Sequence, residues 1–80
     1  MKVKVGDPII LTDNSGFEDS GLEVGTKGWA NSVTTIPGEG TYVFFMPEDS
    51  KGMYVTQLSK VEYDESRAGL QLDENTIYKG

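Results

Sequence analysis

The sequence predicts an all-β fold: a small barrel of about five strands with a C-terminal extension. Three observations lead there. Short runs rich in β-branched and aromatic residues recur along the chain. Turn-forming Gly, Pro, Asp and Asn separate them at short intervals, the punctuation of all-β sandwiches and barrels. The chain has 80 residues, enough for one domain with one thin core, so a closed sheet fits better than two packed ones.

Residues 2–5, Lys-Val-Lys-Val, alternate charged and apolar and read as a short strand or an ordered lead-in. Gly6-Asp7-Pro8 is turn chemistry, and Pro8 stands at a strand start, where proline is tolerated. Ile9-Ile10-Leu11 makes a compact apolar strand. Residues 13–21 form a long polar loop broken by Asn14, Ser15, Gly16, Ser20 and Gly21, with Phe17 its one large apolar residue. Gly25 and Gly28, three apart, punctuate a tight entry into the next strand. Residues 27–35, rich in Trp, Val and Thr, are that strand, and 36–40 are a hairpin connection.

Residues 41–46, Thr-Tyr-Val-Phe-Phe-Met, carry the strongest strand signal and end at Pro47. Tyr42, Phe44 and Met46 fall on one face of this strand and Val43 and Phe45 on the other, because side chains alternate. Residues 48–52 are a turn, 53–56 a strand, 57–59 a short 3₁₀ turn and 61–63 a last short strand. The barrel therefore covers residues 1–63. Residues 64–80 form the extension, packed on the barrel or partly disordered. It is polar, with Leu70, Leu72, Ile77 and Tyr78 isolated in it, and 65–72 fit either an edge strand or one to two helical turns.

Charge and composition narrow the function. Thirteen acidic against seven basic residues give a formal charge of −6. A surface of that sign repels phosphate backbones and anionic membranes and suits a basic protein partner. The chain has no histidine and no cysteine, which removes the usual general base, the commonest metal ligand and all thiolate chemistry. No apolar run reaches membrane-spanning length, and residues 1–6 lack the apolar stretch of a signal peptide. The expectation is a cytoplasmic protein with no membrane association.

The frame Val5-Gly6-Asp7, Ile9-Ile10-Leu11, a long loop, Val24-Gly25-Thr26-Lys27-Gly28-Trp29-Ala30, Tyr42-Val43-Phe44-Phe45 and Tyr54-Val55 before Leu58 resembles the small SH3-like barrels. Its glycine segment resembles the turn of KOW-type domains of ribosomal and transcription proteins. The frame is also similar to the small barrel subunit of photosystem I and the variable subunit of ferredoxin–thioredoxin reductase. The resemblance spans about residues 3–63. It implies the barrel, and the KOW likeness implies nucleic-acid binding as an alternative. KOW domains that bind RNA present basic loops, whereas this loop is acidic. Peptide-binding SH3 domains carry an aromatic motif on the long loop, where Phe17 stands alone.

No catalytic constellation is present: no phosphate-binding glycine loop, no nucleophile with a base, no metal-ligand spacing. Counted from Asp13, a calcium loop would put Phe17 at a ligand position and Glu18 where glycine is needed. The sequence therefore predicts a non-enzymatic protein-binding module with no cofactor and no metal. It would serve as an accessory subunit or modulator, with a self-associating structural protein as a further alternative. The expected contacts are Glu18, Asp19 and Glu23 for charge and Phe17 and Tyr54 for apolar anchoring. Trp29 is expected in the core. One of the two faces of residues 41–46 fills the interior, and the other, unusually apolar, is expected to meet either the tail or a partner.

Overall fold

A computed structural model describes residues 3–17, 19, 21–49 and 52–73. Five antiparallel strands run β1 (Pro8–Leu11), β2 (Lys27–Ile36), β3 (Gly40–Pro47), β4 (Tyr54–Gln57) and β5 (Val61–Tyr63). They form one sheet in the order β4-β3-β2-β1-β5. A 3₁₀ turn, Leu58–Lys60, links β4 to β5, and a second, Glu65–Arg67, follows β5. The described residues include no α-helix. The all-β small barrel expected from the sequence is the fold found.

Residues 3–5 are not a strand; they lead into a turn in which Asp7 N–H donates to Lys4 O at 3.0 Å. The second strand runs to Ile36, which the sequence assigned to the connection. Its turn, residues 37–39, is closed by Glu39 N–H on Ile36 O at 3.0 Å.

Strand β2 carries the barrel's curvature. It pairs with β1 at its start and with β3 along its length, and its register shifts between Ala30 and Ser32. Such a bulge bends a strand and increases its twist. Here it leaves the successive residues Ala30 and Asn31 both buried.

Inside the curl lie Ile9, Leu11, Ala30, Val43 and Phe45, all at 0% exposure, joined by Val3, Leu22 and Val61. Apolar area removed from water, at roughly 25 cal/mol per Å², is what holds such a barrel together. Gly28 is glycine for want of space: a Cβ there would sit 2.8 Å from the Phe45 ring and closer still to the Met46 carbonyl oxygen. Gly25 is glycine for its backbone, at φ +94°.

The chain after β5 folds back on the outside of β1 and β2. Leu72 N–H donates to Gly6 O at 2.8 Å, and Gln71 Nε2 donates to Asp7 Oδ1 at 2.7 Å. Of the two conformations the sequence allowed for 65–72, the short helical turn forms, at Glu65–Arg67, and no strand does.

Candidate functional site

The loop from Thr12 to Thr26 leaves β1 and returns to β2 alongside it, so its two ends are fixed by the ladder. Gly25 N–H donates to Leu11 O at 2.8 Å. Between those ends the loop is tied to the first 3₁₀ turn. Thr12 and Asp13 N–H groups donate to Lys60 O at 2.8 and 3.2 Å, and Lys60 Nζ donates to Ser15 O at 3.3 Å. Asn14 braces it from within, donating to Leu22 O at 3.1 Å, while the Leu22 side chain enters the core.

Asp13 accepts the Ser15 backbone N–H at 2.9 Å. That bond, with the Ser15 hydroxyl and the nearby Lys60 charge, holds its carboxyl below the ordinary value of 3.8. The loop is thus held by internally bonded turns, the first of them on a carboxylate whose ionised form those bonds favour. Thr26 closes it, giving both its N–H (3.1 Å) and its hydroxyl (2.6 Å) to Glu23 O.

Two of the residues predicted for contact meet in space. The Phe17 ring lies edge-on to Tyr54, with centroids 5.6 Å apart and planes at 80°. This geometry aligns a positive ring edge with a negative ring face. Both side chains are half-buried against the core, so each keeps an exposed part. Asp19 and Glu23 are exposed on the same loop. Glu18 lies outside the described residues, as do Ile77 and Tyr78.

Trp29 is not in the core. It is half-buried on the outer side of β2, opposite Pro8 and Met46, because the adjacent inward positions are filled by Gly28 and Ala30. Tyr42, Phe44 and Met46 share that outer side and are half-buried, while Val43 and Phe45 point in. Val55, opposite Phe44, is 51% exposed.

What sits on Trp29 is Arg67, whose guanidinium carbon is 4.7 Å from the ring centroid. The same side chain bonds through Nε to Asp64 and through one terminal nitrogen to Glu48 at 2.8 Å. Its other terminal nitrogen reaches the carbonyls of Ile9 at 3.1 Å and Gly28 at 2.9 Å. Sequence reasoning passed over this hub. The local signal was Asp64 three residues before Arg67, an acid that caps a 3₁₀ turn and pairs with the base at its end. The distant carbonyls have no local signal.

Among the described residues no group of three or more carboxylates converges as metal ligands would. No helix there is long and apolar enough to cross a membrane. No protein-family model, no curated protein and no solved structure matches the chain.

Proposed function

We propose that the protein is a non-catalytic protein-binding module, an accessory subunit or modulator that recognises a basic partner in the cytoplasm through the loop between β1 and β2. The observation that carries this reading is a braced loop with Asp13, Asp19 and Glu23 exposed and Phe17 set against Tyr54. Bracing lowers the ordering cost of binding. The carboxylates steer a cationic surface inward, and the half-exposed aromatic pair supplies apolar area at the contact.

The engagement of two of the seven basic residues favours this over the nucleic-acid alternative. Arg67 is held by two carboxylates and Lys60 is turned onto Ser15. Phosphate tracking needs such groups free and clustered.

The test is capture from a cell lysate by the native chain and by a Glu18→Gln, Asp19→Asn, Glu23→Gln variant, followed by binding measurements on the captured protein. A basic protein held by the native chain, and bound about tenfold or more weakly by the variant, supports the reading. Equal binding by both removes the loop from the contact.

A further inference from the structure

Strand β5 is one edge of the sheet. Its bonding to β1 is fixed at both ends: Asp64 N–H donates to Pro8 O at 3.0 Å, and Thr12 N–H donates to Lys60 O at 2.8 Å. In an antiparallel ladder, bonded pairs alternate with unbonded ones. Ile10 stands opposite Glu62, so the bonded pairs are Pro8 with Asp64, Ile10 with Glu62 and Thr12 with Lys60. The main-chain groups of Val61 and Tyr63 therefore point away from β1. The Val61 N–H turns back to Leu58 O. The Val61 carbonyl and both main-chain groups of Tyr63 face outward, with no strand beside them among the described residues.

A groove of about 390 Å³ runs along this edge, lined by Val3, Leu58, Val61, Glu62, Tyr63 and Glu65. Its apolar side chains are buried or half-buried, and its two carboxylates are exposed. Among the described residues neither Glu62 nor Glu65 forms an ion pair.

We infer that this edge takes up an extended, basic segment of a partner protein as a sixth strand. Three features converge on that occupant. The outward main-chain groups of Tyr63 and Val61 offer the bonds of strand addition. Side chains alternate, so the segment would set apolar residues over Val3, Leu58 and Tyr63 and, between them, a Lys or Arg across from Glu62. The two carboxylates, without an ion pair among the described residues and on a chain of net charge −6, select a cationic segment and repel an acidic one. This site shares no residue with the loop proposed above and stands whether or not that loop binds a partner.

The probe is the blocked peptide acetyl-Thr-Lys-Val-Lys-Val-Thr-amide, titrated into the full chain and followed by amide NMR. Its counterpart carries Glu for each Lys. The expected result is shift changes at Val3, Leu58 and residues 61–65, with slowed exchange of the Tyr63 amide. Glu62→Gln with Glu65→Gln, both exposed and harmless to the fold, should weaken binding about three- to tenfold. The Asp19→Asn, Glu23→Gln variant should bind the peptide as the native chain does, which separates this site from the loop. Equal response to both peptides, shifts confined to the loop, unchanged Tyr63 exchange or no response at all would each overturn the inference. Protection of Tyr63 that grows with protein concentration alone would assign the edge to a second copy and overturn it too.

Discussion

Removing the Arg67 guanidinium should be among the costliest single changes in this chain. The side chain is 13% exposed and contacts four separate parts of the structure. Its bonds to the Ile9 and Gly28 carbonyls contribute about 1 kcal/mol each. Stacking on Trp29 adds about 0.5–1 kcal/mol. The pair with Glu48, whose side chain is 49% exposed, adds at most about 0.5 kcal/mol. Arg67→Ala should therefore lose about 2.5–3.5 kcal/mol before the Nε bond to buried Asp64 is counted, against a total of roughly 4–12 kcal/mol for a domain of this size. At about 4–8 °C per kcal/mol the midpoint should fall by about 10–28 °C.

The assay is thermal unfolding, with urea unfolding as a second measure. Arg67→Lys should recover only part of the loss, because one ammonium cannot reproduce a planar fork of donors. Glu48→Gln should shift the midpoint by less than about 3 °C. An Arg67→Ala midpoint within about 3 °C of the native one would refute the reasoning. So would Glu48→Gln costing as much as Arg67→Ala, since the effect would then lie in the exposed pair.

Thr56 is 4% exposed and its hydroxyl has no hydrogen-bond partner among the described residues. Thr56→Val keeps the shape and removes that group, so it should stabilise by about 1 kcal/mol, seen as a higher urea midpoint; a lower midpoint would show that the hydroxyl is bonded. Asp64 is held below 3.8 by its bonds from the Ser66 hydroxyl, Arg67 and the Ser66 N–H. Its folded value is the lower one, so its contribution is complete above the unfolded value and is lost as pH falls through the folded one. Midpoints should therefore decline below about pH 4, and Asp64→Asn should flatten that decline; an unchanged slope would place the acid sensitivity elsewhere.

Patterns with a short period were legible in the sequence and long-range chemistry was not. Alternation in Tyr42 to Met46 assigned each side chain of β3 to its face, and glycines and prolines set off the other strands. Phe17 and Tyr54 were each picked out, but their contact across 36 intervening positions of chain order follows only from the barrel's closure. Trp29 misled because aromatic size suggests a core residue, while its place was decided by parity with Gly28. That glycine has its inward direction filled by Phe45 and the Met46 main chain. Arg67 was only partly legible for a related reason: Asp64 three residues before it is a local signal, but two of its partners are distant carbonyls, and a backbone carbonyl has no sequence signature.

The strand order has a consequence for how the chain is made. Of the five strands β1 is made first, yet it lies between β2 and β5. One side of it finds its partner when β2 emerges. The other side waits for Val61–Tyr63, and the Arg67 contact with Ile9 comes 58 residues after its acceptor. Closing so long a stretch costs chain entropy before any contact repays it. Barrels of this kind accordingly fold in about milliseconds to seconds rather than microseconds. On the ribosome, Ile9 and Leu11 have an incomplete shelter until Val61–Tyr63 emerges, so the first of the five strands to be made is the last to be fully paired.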